Sequence, residues 1–326
     1  MTLYRNRMEL VLQEEYVTRY GAEPEYCEAF LGLPQNVEFC SRCVISNQRP
    51  NSTVEFQHTV ESEKETISFD IDNVCDACHL AEKKRSEINW LDREAQLNEL
   101  CDRHRRNGAG YDCLVPGSGG KDSFYAAHNL KYKYGMNPLT VTWAPHMYTD
   151  WGWQNFQAWI NAGFDNYLVT PNPRMHRLIT RLAVENLFHP FQPFILGQKS
   201  FPPQLAYLLN IPLIFYGESV SDYGTKLGNA KQFSTKIQDS HPGFTQDPIS
   251  SMNINDVKLG GDPISYHIKQ GYNINDFECY LPLDINKFKE KKIETHFLGY
   301  YLKWVPQENF YYAAENTGFH WVTLPP

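Results

Sequence analysis

The sequence has no run approaching the roughly 18 consecutive apolar residues that a membrane-spanning helix needs, so a membrane span is not expected. Its first residues, Met1-Thr2-Leu3-Tyr4-Arg5-Asn6-Arg7-Met8-Glu9, place no apolar stretch after their charges, so a secretory leader is not expected and a cytoplasmic location is. Positive charge is not in excess. Lys plus Arg number 30 against 38 Asp plus Glu, giving a net charge of −8, which is not the basic footprint of a nucleic-acid binder. Residues 225–326 contain no repeat and no low-complexity tract. The eight cysteines, in a reducing compartment, are thiols or metal ligands rather than disulfides.

What is present suits a large folded chain. The 326 residues are enough for two domains, or for one domain with an appendage, and 42% are hydrophobic. Aromatics reach 14%, most of them destined for the core and some available to line a cleft.

Residues 1–35 read as a helical lead-in without chemistry, with Cys27 alone in it as a packed thiol. Residues 36–90 form a separate unit. Cys40-Ser41-Arg42-Cys43 and Cys75-Asp76-Ala77-Cys78 are two C-x-x-C pairs that can bring Cys40, Cys43, Cys75 and Cys78 around one structural zinc ion. The 31 residues between the pairs exceed the usual ribbon spacing of about 15–20. β-prone stretches at Thr53-Val54-Glu55-Phe56 and Thr66–Ile71 predict a small hairpin there. Cys75 to His79 also matches the C-x-x-C-H haem attachment, which belongs to exported chains, and a redox pair would need a thioredoxin-like context that is absent.

A helix is predicted over Leu80–Arg106, with Leu91, Leu97 and Leu100 toward the core. Its basic run Arg103-His104-Arg105-Arg106 can attract an anion or simply face solvent. From residue 111 strands and helices alternate. Strands are expected at 111–115, 139–143, 167–170 and 212–217. Helices are expected at 124–132, 152–162, 174–188 and about 203–209. That alternation predicts an α/β fold, a parallel sheet with helices on both faces, beside the small N-terminal zinc-ribbon-like module. The expected units are a helical lead-in over 1–35, a four-cysteine module over 36–90, a nucleotide-binding domain over 91–230 and an extension over 231–326 that packs on it. Phe297–Leu302 in the extension reads as strand-like.

The chemistry concentrates between the first strand and its helix, at Val115-Pro116-Gly117-Ser118-Gly119-Gly120-Lys121-Asp122-Ser123. Three glycines let a backbone approach a ligand, and the helix that follows offers free N–H groups and the positive end of its dipole. The stretch is not a Walker A loop: Asp122 stands where Ser or Thr is required after the lysine, and Val115 where the first glycine belongs. It resembles the PP-loop, S-G-G-x-D-S, at Ser118-Gly119-Gly120-Lys121-Asp122-Ser123 without departure. Enzymes of that superfamily, whose fold is adenine nucleotide alpha hydrolase-like, bind ATP and cleave it between the α- and β-phosphates.

A narrower resemblance is carried by Phe39–Val44, Val74–Cys78, Gly117–Ser123, Tyr216-Gly217-Glu218 and Gly299–Trp304. Together they are similar to the N-acetyl sugar amidotransferases of bacterial surface-glycan synthesis, associated with acetamidino sugars of lipopolysaccharide O-antigen and of flagellin glycosylation. The resemblance runs from about residue 37 to the end, and the family pattern continues past Pro326. At 217–224 the family usually has Asn after the Glu and Glu before the Tyr, where this chain has Ser219 and Asp222.

The resemblance implies adenylation of an N-acetyl amide oxygen of a nucleotide-linked sugar, followed by its replacement by ammonia. Gly117, Ser118, Gly119, Gly120, Lys121, Asp122 and Ser123 would hold ATP, with Mg2+ on Asp122. Lys121, Asp122 and Glu218 are the candidate catalytic groups. Residues beyond strand ends, Trp143, Gly217 and Asp222, are candidates for the nucleotide site, as is Lys199, whose alternative is a surface lysine. Glu218 and Asp222 can equally cap a turn. Trp151 and Trp153 can offer flat faces to a sugar, while Trp159 suits the core.

The chain begins Met1-Thr2 and shows no Gly-flanked nucleophilic cysteine, so ammonia is expected from a separate glutaminase subunit. A cyclase-like ammonia-channel subunit would accompany it, as in imidazole glycerol phosphate synthase. Two alternatives stand beside this reading. One is a PP-loop tRNA thiolase, which needs a reactive cysteine where this chain reads Leu196-Gly197-Gln198-Lys199. The other is a non-catalytic zinc-bearing nucleotide-binding protein.

Overall fold

The computed structural model describes residues 33–34, 36–49, 58–63, 66–217 and 254–321. Nearly all of the 1–35 lead-in, the 53–56 strand expectation, and Glu218 and Asp222 lie outside the described residues.

Among the described residues five parallel strands form the central sheet: β1 (Cys113–Pro116), β2 (Pro138–Trp143), β3 (Asp165–Val169), β4 (Leu213–Tyr216) and a last one, Glu294–Phe297, numbered β7 because the short β5 (Lys258–Leu259) and β6 (Asp262–Pro263) precede it. The order across the sheet is β3-β2-β1-β4-β7. The chain therefore builds outward from β1 to β3, then returns to the other side of β1. A crevice opens at that reversal, beyond the carboxyl ends of β1 and β4.

Alternation along each strand explains the layers. Cys113 and Val115 of β1 and Leu213 and Phe215 of β4 join one core with Leu97, Leu100, Phe124, Phe156 and Trp159. Leu114 and Ile214 point the other way, into a core with Leu139, Val141, Leu205 and Phe288. Helices cover both faces, which is why β1, β2 and β4 read as continuous apolar runs.

The helix expected over Leu80–Arg106 is two helices, Asp76–Ser86 and Trp90–His104. Asn89 interrupts it: its side chain accepts from the Asp92 N–H and caps the second helix. Leu97, Leu100 and Cys101 make the buried stripe, while Leu91, in the first turn of the new helix, is 81% exposed rather than core-facing.

The helix placed at about 203–209 runs from Gln192 to Leu208, with Pro202 and Pro203 inside it. Neither proline can donate to the carbonyl four residues back. The Tyr216 hydroxyl donates to one of these, the Gln198 carbonyl, at 3.4 Å. The strand-like reading of Phe297–Leu302 is replaced by the end of β7 and a short helix, Leu298–Tyr301. β7 itself pairs with β4 in register Leu213 to Glu294 through Tyr216 to Phe297.

The basic run is spent on structure. Arg103 and His104 reach Glu294 at the start of β7, and Arg105 pairs with Asp102 and the Tyr134 carbonyl. Glu294 opens its strand, whereas the Gly117–Ser123 loop follows the end of β1, so the run sits at the opposite end of a parallel sheet from the loop. No helix among the described residues is long and apolar enough to cross a membrane.

Candidate functional site

The loop between β1 and the helix Lys121–His128 is built by close packing. A Cβ on Gly117 would come within 2.6 Å of Ser123 Cβ and 2.8 Å of the Trp159 ring. Gly119 has φ +86°, and a Cβ added there would collide with the backbone carbonyl of Asn155, leaving no room for a side chain. Gly120 is the N-cap and supplies no capping side chain. The first N–H groups of the helix are thus left to whatever anion occupies the loop.

A cavity of about 470 Å3 opens beside this loop, within the usual range for small-molecule sites. Gly117, Ser118, Gly120, Asp122 and Ser123 form one side. Trp143 and Val169, at the ends of β2 and β3, and Tyr216 and Gly217, at the end of β4, extend it across the sheet. The helix Gln192–Leu208 closes it with Ile195, Lys199 and Phe201. Of the residues proposed from sequence, the structure brings Gly117, Ser118, Gly120, Asp122, Ser123, Trp143, Lys199 and Gly217 to one cavity, while Gly119 and Lys121 do not line it.

Charge is arranged around that space. Lys121 Nζ pairs with Asp122 Oδ2. The other carboxylate oxygen, Oδ1, accepts from Asn309 Nδ2 at 3.4 Å. The Ser123 hydroxyl donates to the Gly120 carbonyl at 2.9 Å. Lys199 Nζ lies 4.1 Å from the ring centre of Tyr216, on the cavity wall, and 5.5 Å from that of Phe297, so its ammonium is held over aromatic faces.

Other strand-end residues pack or cap. Trp143 is 4% exposed, and its ring fills the space beside Gly197 where a side chain would otherwise stand. Asn172 is a cap, accepting from the Arg174 N–H at 3.0 Å. His146 stacks on buried His176 at 4.0 Å, and burial pushes the His176 imidazole down to about 4. Trp159 is wholly buried, while Trp151 and Trp153 stay 44% and 49% exposed in the first turn of the helix Asp150–Asn161.

Three contributors had no site role assigned from sequence, although Gly299 and Trp304 lie in the segment that carries the narrower resemblance. Asn309 comes from the helix Pro306–Asn316 near the end of the chain. The ring of Trp304 packs so close to Gly217 that a Cβ there would meet it at 2.9 Å. Gly299 donates its N–H to the Gly217 carbonyl at 2.9 Å, tying the segment after β7 to the end of β4. Asparagine and tryptophan carry no spacing signal, and these contacts span tens of residues or more.

The four cysteines converge as the spacing required. All four sulfurs lie within 4.8 Å of one another, with Cys40 Sγ 3.9 Å from Cys78 Sγ and Cys43 Sγ 3.6 Å from Cys75 Sγ. Metal–sulfur bonds of about 2.3 Å in a tetrahedron give sulfur–sulfur edges of about 3.8 Å. The donor set and its size therefore fit a single tetrahedral ion such as zinc. Burial pushes the Cys40 thiol up, but backbone N–H groups of Cys43, Arg42 and Cys75 outweigh it and bring it down to about 6. Cys75 and Cys78 are pushed up by burial and by the neighbouring sulfurs. A cation among them relieves that repulsion. The packed centre of this unit is small, consisting of Ile67 and Val74 with Cys40 and Cys75, so a metal staple suits it.

No protein-family model matches the chain, and no curated protein matches it. Among solved structures it is similar to a predicted subunit of tRNA methyltransferase from Methanocaldococcus jannaschii, at 14% identity over 62% of this chain and 75% of that one, TM-score 0.32. It is also similar to a U34-tRNA thiolase from Methanococcus maripaludis, at 13% identity over 88% of this chain and 74% of that one, TM-score 0.31. A third is NMN synthetase from Francisella tularensis, at 15% identity over 73% of this chain and 99% of that one, TM-score 0.29.

Proposed function

We propose that the chain is an ATP-dependent, AMP-forming amidotransferase of the PP-loop kind. In this reading it converts the acetamido group of a nucleotide-linked N-acetyl sugar to an acetamidino group. The observation that supports it most is the Ser118–Ser123 loop, glycine-packed and uncapped, opening on a cavity at the reversal of the strand order.

The chemistry follows from what an amide needs. Its oxygen is a poor leaving group. Attack of that oxygen on the α-phosphorus of ATP releases pyrophosphate and joins AMP to the oxygen. Ammonia adds to the imidate carbon, a proton is lost, and AMP departs with the former amide oxygen. The loop N–H groups, Lys121 and Lys199 hold phosphate oxygens as pyrophosphate separates. Ser118 and Ser123 donate hydroxyl bonds. Asp122, the loop's carboxylate on the cavity wall, suits Mg2+, which typically takes one or two protein carboxylates beside substrate phosphates. When bound, that ion offsets charge on the departing pyrophosphate. Glu218 and Asp222 remain candidates for proton transfer in this scheme.

Ammonia arrives from a separate glutaminase through a channel subunit. Among the described residues no cysteine lines the cavity, and burial pushes the thiols of Cys101, Cys113 and Cys279 up, away from nucleophilic form. The same facts weigh against a thiolase, which needs a reactive cysteine at the nucleotide.

The test is incubation with ATP, Mg2+ and ammonium across a panel of nucleotide-linked N-acetyl sugars. The expected result is AMP together with a product in which one oxygen is replaced by NH. AMP formed only with tRNA and a sulfur donor would replace this reading by the thiolase. ATP bound but never cleaved under any of these conditions would leave a nucleotide-binding protein.

A further inference from the structure

Asp122 is the one acidic residue of the phosphate loop, and its two oxygens have different partners. Lys121 takes Oδ2, and Asn309 reaches Oδ1 from 187 positions away at 3.4 Å. Asn309 is 1% exposed on the helix Pro306–Asn316, which packs along the loop helix. A buried amide needs a partner, and a carboxylate is a strong one.

That packing is held independently on either side. Tyr312, one turn beyond Asn309, bonds His128 through its hydroxyl at 2.7 Å, and its ring meets Tyr125 edge-on at 5.2 Å. Trp304 meets Tyr125 edge-on at 5.3 Å. The two helices thus stay together without Asn309, whose amide contributes direction to the carboxylate rather than cohesion.

We infer that Asn309 is a positioning residue: it fixes the Asp122 carboxylate in the rotamer that meets a metal–triphosphate, leaving the side chain preset before the ligand enters. The inference rests on the nucleotide reading above. An Asp122 free to turn would have to be ordered on binding, at a cost to affinity. The effect is confined to the metal-bound nucleotide, because ATP without a cation makes no use of the carboxylate.

The test compares wild type with Asn309→Leu, which keeps volume and burial, and Asn309→Ser, which keeps polarity but shortens the reach. ATP affinity is titrated with Mg2+ and again with a chelator, and melting is followed in parallel. In both variants affinity with Mg2+ is expected to fall about tenfold or more, as for loss of a bond to a charged group. Affinity without Mg2+ should hold. Melting should stay near wild type, since Asp122 is 28% exposed and water can take the vacated place. Unchanged affinity with Mg2+, an equal loss with and without it, or collapse of melting in both variants would overturn the role of Asn309. Absence of ATP binding by wild type would overturn the nucleotide reading itself, and this inference with it.

Discussion

A Cβ added at Gly119 would run into the backbone carbonyl of Asn155, so one residue type and one conformation seat the Gly117–Ser123 loop against the helix that follows β2. Asn155 also exchanges two side-chain bonds with His320, to its carbonyl at 3.0 Å and from its N–H at 2.7 Å. The loop is therefore seated on a helix that is itself pinned from the far end of the chain. Gly119→Ala adds a methyl group into that carbonyl and imposes a φ of +86° on alanine. We expect a stability loss of about 1–3 kcal/mol, read by urea unfolding, and loss of ATP binding in titration.

Lys199 is expected to matter through its charge. Removal of the ammonium in Lys199→Gln should weaken ATP binding about tenfold at low salt, and the difference from wild type should shrink as salt screens the site. Lys199→Arg should recover part of the loss. Melting should change little, because the ring faces of Tyr216 and Phe297 that seat the amine are left in place.

Much of this was readable locally. The strand, glycines and helix of the loop are contiguous, so period and punctuation expose them. The cysteine pairs are likewise two short motifs whose chemistry fixes their meeting. Of the helix Gln192–Leu208 only the end, placed at about 203–209, was readable, because Gly197, Pro202 and Pro203 are the usual marks of a break. What overrides them is tertiary: the Trp143 ring fills the space at Gly197, and the Tyr216 hydroxyl answers a carbonyl that Pro202 leaves behind. β7 escaped notice for a related reason, being four residues long and defined by a partner about 80 positions earlier.

The four cysteines give a metal prediction. Metal analysis of the purified protein should find one zinc per chain, and Cys43→Ser or Cys75→Ser should lose it. With the small unit around Ile67 and Val74 depending on the ion, chelation should open residues 36–90 to proteolysis. The sheet, with its own cores on both faces, should resist.

Acid should reveal the cluster at the start of β7. Bonds to His104 and His296 hold the Glu294 carboxyl well below the usual glutamate range, against the opposing effect of burial. Burial lowers the His296 imidazole, partly offset by Glu294. A depressed folded value gives stability that is present above the unfolded value, about 4.3 for glutamate and 6.5 for histidine, and is lost as pH falls. Both groups act in the same direction. Wild type should therefore lose melting temperature from about pH 6 downward. Glu294→Gln should begin less stable at pH 7 and show a shallower decline below pH 5, in thermal melts across the range.

The bond from Gly299 to Gly217, the pairing of β7 with β4 and the reach of Asn309 to Asp122 have a consequence for biosynthesis. The Gly117–Ser123 loop leaves the ribosome early, and β1, β2 and β3 can pair once residue 169 has emerged. Every residue that lines the cavity lies between Pro116 and Gly217, whereas β7, which flanks β4, and Asn309, whose amide reaches Asp122, are translated almost 200 residues after the loop. A nascent chain stalled before β7 therefore carries the motif and the residues of the cavity without the strand that flanks β4 and the amide that reaches Asp122.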